Sequence, residues 1–246
     1  MGNDFFRFKQ FTIRQGNAAM KVGVDSVLLG AWACADHTSF LIPPSSLRIL
    51  DVGAGTGLLA LMTAQRFPDA AIDAVEIDKD ACRQAIENVA DSPWSNRIRV
   101  FCDDFINYAK YCPLRYDLII SNPPYFTASL KPSDTKRNIA RHNDSLPHRC
   151  LLEGSAKLFA SAGVLAVVLP PAEASMLINE ASTFGLFVRR MLHVQSLPSK
   201  PIYRILVELS KSEFPREDQT LCIEQEDRSG NSYEYRELTK EFYLNF

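Results

Sequence analysis

Asp51-Val52-Gly53-Ala54-Gly55-Thr56-Gly57 lies between an apolar run, Leu47 to Val52, and Leu58, Leu59, Leu61 and Met62 at helical spacing. A short strand, a glycine-rich turn and a helix in direct succession open a strand–helix–strand unit. Glycines there let the main chain turn sharply and let a ligand approach it closely. A tight β–α turn needs no more than this; a nucleotide-like cofactor site at the carboxyl end of the first strand is the sharper reading.

Further strands are expected at Ala71 to Ile77, Ile98 to Cys102, Tyr116 to Ser121 and Val164 to Leu169. Helical patterns cover Asp80 to Ala90, Leu151 to Ala160 and Ala172 to Phe184. Two longer β patterns, Leu186 to Val194 and Ile202 to Leu209, are joined by Leu197-Pro198-Ser199-Lys200-Pro201 and predict an antiparallel pair. The chain is therefore expected to be an α/β protein of Rossmann-like form. Its sheet should be mostly parallel and seven-stranded, with a terminal antiparallel hairpin and helices on both faces. Residues 1–46 read as an N-terminal segment whose helix buries Val22, Val27, Leu28 and Ala31 beside the first strand. Residues 47–212 read as the core, and 213–246 as a cap with a strand at Leu221 to Gln225 and a helix at Tyr233 to Tyr243. Together they predict a single compact domain.

Composition narrows the field. With 246 residues, 46 % hydrophobic and 23 % charged, the chain is neither disordered nor fibrous. No apolar run reaches the ~18 residues of a membrane span, and Met1 to Lys9 lacks the layout of a signal peptide. The six cysteines show neither a CxxC pair nor a His spacing, so no metal site is expected. Free thiols and a cytoplasmic location fit that pattern. Charge is local: Leu130 to Arg149 holds five basic residues against Asp134 and Asp144, whereas Glu213 to Phe246 holds nine acidic and four basic residues. A basic stretch on a near-neutral protein can meet an anionic polymer at one face.

The turn has GxGxG spacing, not the GxGxxG of dinucleotide sites, and Asp51 precedes it. A carboxylate there repels a pyrophosphate and welcomes a cation. S-adenosylmethionine, with an ammonium, a sulfonium and no phosphate, suits such a floor at Asp51, Gly53, Gly55 and Gly57. Glu76 closes the second strand 25 residues after Asp51, where a carboxylate can accept both ribose hydroxyls. Asp103 and Asp104 end the third strand, either as solvated loop acids or as acceptors for the adenine amino group. These residues together resemble a class I methyltransferase.

The fourth strand ends in Asn122-Pro123-Pro124-Tyr125. An adenine amino group is planar and a poor nucleophile. The Asn122 side-chain oxygen and the Pro123 carbonyl can each accept one of its hydrogens, turning the lone pair outward and stabilising the developing positive charge. The two prolines stiffen this backbone, and Tyr125 offers a face for base stacking. A proline-stiffened turn with a packing tyrosine is the plain alternative. Arg141 and His142, in the irregular stretch that follows, are either solvated charges or RNA phosphate contacts. Asp25 is either a helix N-cap or an acidic wall near a cofactor ammonium. Lys21, Phe5, Phe6, Phe8 and Phe11 either cover the cofactor, touch RNA or simply pack.

Several stretches resemble the bacterial transfer-RNA adenine-N6-methyltransferases that modify the adenosine just 3′ of the anticodon in a valine tRNA. They are Phe8-Lys9-Gln10-Phe11, Ala19 to Gly23 with Asp25, Leu28 to Ala33, Asp51 to Gly55, Asp73 to Glu76, Ser92-Pro93-Trp94, Tyr116 to Tyr125 and Phe242-Tyr243-Leu244. The resemblance implies S-adenosylmethionine held at Gly53, Glu76 and Asp104, a target base at Asn122 to Tyr125, and tRNA, through its anticodon loop, as the partner. It implies no membrane, metal or obligate protein partner. Phe126 and Thr127 to Asn138 depart from the family's pattern and leave substrate choice open.

Competing readings are a protein glutamine-N5 methyltransferase, a DNA adenine methyltransferase and a non-catalytic RNA-binding module with a vestigial cofactor fold. The first would carry a helical substrate domain ahead of Leu47, where only 46 residues stand. The second would add a recognition region for which the chain has little room. A pure binder has no need of two amine-directed acceptors.

Overall fold

The computed structural model describes residues 4–16, 21–34, 47–124 and 146–245, and the elements described between Arg48 and Ala181 alternate strand and helix. β3 (Arg48–Val52) leads through α2 (Leu58–Arg66) to β4 (Ala71–Glu76), and α3 (Lys79–Ala90) leads to β5 (Ile98–Cys102). After α4 (Phe105–Tyr111), β6 (Tyr116–Ser121) crosses to the other side of β3; α5 (His148–Leu158) precedes β7 (Phe159–Leu169), which pairs with β6. These five strands are parallel. Strand order reverses between β3 and β6, so their carboxyl ends open a crevice, the usual ligand position in such sheets.

Beyond α6 (Pro171–Ala181), β8 (Phe187–Gln195) and β9 (Ile202–Ser210) form the expected antiparallel pair, with β9 lying between β7 and β8. The sheet has eight strands, not seven. β10 (Glu217–Cys222) pairs in parallel with the outer side of β8, giving the order β10-β8-β9-β7-β6-β3-β4-β5. The extra strand begins four residues before the expected one. Its first four residues are all exposed, so main-chain pairing, not an apolar period, makes it a strand.

Both faces of the sheet are buried, which explains why its central strands read as unbroken apolar runs. Alternation still sorts their side chains. Ile49, Leu118 and Ile120 face one core with Leu28, Leu59 and Leu61, while Leu50, Ile119 and Leu165 face the other with Leu151 and Leu177. A polar knot ties three strands together. Buried Asp73 of β4 accepts both guanidinium contacts of Arg99 on β5 (2.8 and 3.0 Å) and the Tyr116 hydroxyl of β6 (2.6 Å).

The N-terminal segment forms a two-stranded hairpin, β1 (Phe5–Arg7) and β2 (Thr12–Arg14), followed by α1 (Val24–Trp32). The expected stripe is present: Val27, Leu28 and Ala31 are buried and Val22 is half-buried. The carboxyl end of α1 is anchored by cations. Arg66 donates to the carbonyls of Gly30 (2.8 Å) and Ala33 (2.7 Å), and Arg190, paired with buried Glu208, donates to that of Trp32 (2.7 Å). Cations there also suit the helix dipole. Gly30 is needed for close approach, because a Cβ would sit 2.7 Å from the Met62 sulfur of α2. These contacts fix where the other end of α1 points, which is into the crevice.

One expectation fails. Cys82 of α3 and Cys102, the last residue of β5, form a disulfide, while Cys34, Cys112, Cys150 and Cys222 are free. Packing of α3 brings their Cα atoms to 5.7 Å, within bridging reach. Their spacing in sequence carries no hint of that contact.

Candidate active site

Asp51, fully buried at the end of β3, accepts the Ala60 N–H of α2 on Oδ2 (3.0 Å). Its Oδ1 is buried and has no partner among the described residues. Burial pushes the carboxyl group up to about 7, against the Ala60 hydrogen bond and with help from the charge of Glu76. Gly53 and Gly55 carry positive φ angles of 69° and 56°, and a Cβ on either would meet nothing within 4 Å. The turn thus offers bare main chain beside a carboxylate oxygen that lacks a counter-charge. An ammonium group fits that lack, and S-adenosylmethionine carries one.

Glu76 is buried and shapes this turn. It accepts the N–H of Gly55 on Oε2 (2.7 Å) and that of Asp78 on Oε1 (2.8 Å), while the N–H groups of Gly53 and Ala54 bond the Val75 carbonyl. A carboxylate has about four acceptor positions, so two backbone bonds leave it able to accept ribose hydroxyls. Next to it Ile77 is 53 % exposed at the mouth of the crevice. Sequence reasoning passed over it: an exposed isoleucine directly after the strand's acid leaves an apolar side chain open there. Asp104 caps α4, its Oδ1 accepting the Ile106 N–H (3.0 Å), and Asp103 takes the Asp104 N–H (2.8 Å) and the Asn107 amide.

Across the crevice, Ser121 Oγ donates to the Val52 carbonyl (2.8 Å) and ties the end of β6 to that of β3. Asn122 follows, and its Nδ2 donates to Ser26 Oγ of α1 (2.7 Å). Pro123 is buried and Pro124 exposed. Tyr125, Arg141 and His142 lie outside the described residues, as does most of the basic stretch. Asp25 is neither an N-cap nor a bare acidic wall. The N-cap position of α1 is Gly23, and Asp25 pairs with Arg204 of β9 at 2.7 Å. Three of the N-terminal aromatics pack, Phe8 stacking on Phe11 at 4.6 Å and Phe6 meeting Tyr243, while Phe5 and Lys21 are exposed. Among the described residues no cluster of His, Cys, Asp or Glu is placed to hold a metal ion, and no helix is long and apolar enough to cross a membrane.

The methyltransferase small domain family matches residues 38–172. The tRNA1(Val) (adenine(37)-N6)-methyltransferase of Parabacteroides distasonis is 46 % identical over 244 residues, covering 99 % of each chain. The enzyme of the same name from Trichodesmium erythraeum is 45 % identical over the whole of both chains. Among solved structures, a predicted O-methyltransferase from Agrobacterium tumefaciens superposes with a TM-score of 0.62 at 18 % identity, covering 89 % of this chain and 96 % of that one. A Listeria monocytogenes protein assigned to the class I S-adenosylmethionine-dependent methyltransferases gives 0.58 at 14 % identity, covering 82 % and 67 %. At such identities the structures speak for the fold alone. Sharing nearly half its residues with such enzymes from end to end, and folded as class I methyltransferases are, the chain belongs to the tRNA1(Val) (adenine(37)-N6)-methyltransferase family.

Proposed function

We propose that this protein transfers a methyl group from S-adenosylmethionine to the exocyclic amino group of an adenosine in tRNA, and that its target is the adenosine 3′ of the anticodon of a valine tRNA. The observation that carries the chemistry is Asn122, fixed at the end of β6 across the crevice from the glycine turn and Asp51. Full-length relatives of that name support the substrate.

Asp51 Oδ1 and the turn at Gly53 and Gly55 would hold the cofactor's amino-acid end, Glu76 its ribose, and Asp104 its base. When bound, it supplies an electrophilic methyl group on a sulfonium. The chain's own task is to make an aromatic amine nucleophilic. Asn122 Oδ1 accepts one amine hydrogen and the Pro123 carbonyl the other, which turns the nitrogen lone pair out of the ring's conjugation. Both acceptors also stabilise positive charge as it develops, and they need no rearrangement to do so. Tyr125 stacks on the base, and the surplus proton leaves to water. Arg141 and His142 contact RNA phosphates. A tRNA substrate fits a cytoplasmic enzyme.

Incubation with labelled S-adenosylmethionine and total RNA from a strain lacking the gene, followed by nucleoside mass analysis, tests the reading. N6-methyladenosine in the tRNA fraction supports it. Label in protein as methylglutamine, with none in RNA, would move the enzyme to the amide-methylating class.

A further inference from the structure

We infer that Ser26 is a positioning residue that holds the Asn122 side chain in place to meet the amine. The inference rests on the role proposed for Asn122 and concerns how that role is enforced. A side chain left to swing among its rotamers would present its oxygen to the amine only part of the time. Asparagine side chains are often locked locally by the N–H two residues on. Pro123 and Pro124 have no N–H, so that lock is missing from this tetrapeptide.

Ser26 supplies one from another element. Asn122 Nδ2 donates to its Oγ at 2.7 Å, across 96 residues of sequence. That bond limits the swing of the side chain, and in the orientation seen Oδ1 lies at the other edge of the amide. Both ends of this bond stand on braced structure. α1 is held at its carboxyl end by Arg66 and Arg190, and at its first turn by the Asp25–Arg204 pair. β6 is held by Ser121 on Val52. A functional side chain oriented by a partner on a rigid element keeps its geometry better than one left on a loop.

The test is Ser26→Ala and Ser26→Thr, each made in the wild type and in Asn122→Ala. Methyl transfer to tRNA is measured in single turnover at saturating cofactor, with cofactor Kd, KM for tRNA and Tm recorded alongside. The net worth of one hydrogen bond predicts a rate about 3- to 10-fold lower for Ser26→Ala, with Kd and KM unchanged and Tm lower by about 2–4 °C at most. Ser26→Thr, which keeps the hydroxyl, should recover most of the loss. In the Asn122→Ala background, Ser26→Ala should cost nothing further. A wild-type rate in Ser26→Ala, or an equal loss in both backgrounds, overturns the inference. An activity-independent reading separates its failure from that of the proposed function. The Asn122 side-chain amide signal, identified by its absence in Asn122→Ala, should show one exchange-protected Nδ2 proton that Ser26→Ala exposes. Unchanged protection would overturn the inference whatever the enzyme methylates.

Discussion

Lowering the pH from 7 to 6 should weaken cofactor binding about fivefold, and the cause is one carboxyl group. Burial raises Asp51 from 3.8 to about 7, so half of the free protein carries it neutral at pH 7 and about ten in eleven molecules do so at pH 6. If the bound ammonium pairs with ionised Asp51, the protonated fraction must first lose its proton. Apparent affinity then falls with the ionised fraction, from about 1/2 to about 1/11, and approaches tenfold per pH unit further down. The ligand's own α-amino group, with an ordinary pKa of ~7.7–8.0, stays mostly charged across this window. Titration calorimetry in two buffers of different ionisation enthalpy reads both consequences, the loss of affinity and about half a proton released per cofactor at pH 7. Asp51→Asn should bind more weakly at pH 7 and lose the pH dependence. The same shift has a sign for stability. A carboxyl group raised on folding contributes fully below its unfolded value near 4, and that contribution is lost as pH rises through about 7. Free Asp51→Asn should therefore melt higher than the wild type at pH 8, with the difference shrinking as the pH falls toward 4. Equal wild-type affinity at pH 7 and 6, with no proton released, would refute the pairing.

Glu76→Ala should weaken cofactor binding at least tenfold, because bonds to a charged group are worth ~1.5–3 kcal/mol each and the Gly55 N–H also loses its acceptor; unchanged calorimetric affinity would remove Glu76 from the site. Denatured but unreduced protein should titrate four thiols, and six after reduction, as the Cys82–Cys102 bridge requires; six without reductant would exclude the bridge. If Arg141 contacts a phosphate, Arg141→Ala should weaken tRNA binding and reduce the slope of log affinity against log salt by about one; an unchanged slope in filter binding would give that residue another job.

How much of this was legible in the sequence follows from which interactions are local. The glycine turn, Glu76 at a strand end and Asn122 after another are each written as a residue type at the end of an apolar run, so they were found in place. The antiparallel β8–β9 pair was legible for the same reason, through its short joint. What escaped depends on contacts distant in sequence. The first four residues of β10, ahead of the expected start at Leu221, are polar and exposed and join the sheet because β8 offers an edge. The β1–β2 hairpin has only three residues per strand, too few for a period to register. Cys82 and Cys102 meet through the packing of α3. Asp25 finds Arg204, 179 residues away, and Ser26 finds Asn122, pairings that no local pattern announces.

The central claim is that Asn122 activates an adenosine amine in tRNA, and one measurement tests it most directly. Wild-type enzyme and Asn122→Ala are each mixed in single turnover with labelled cofactor and a valine tRNA transcript, and the product is mapped by nuclease digestion and mass analysis. The account predicts N6-methyladenosine at the nucleotide 3′ of the anticodon. It also predicts a rate about 10²–10³ lower in Asn122→Ala, the usual cost of one lost polar stabiliser, with cofactor affinity retained. A fully active Asn122→Ala enzyme, or methyl label on any group other than an adenine amine, would contradict it.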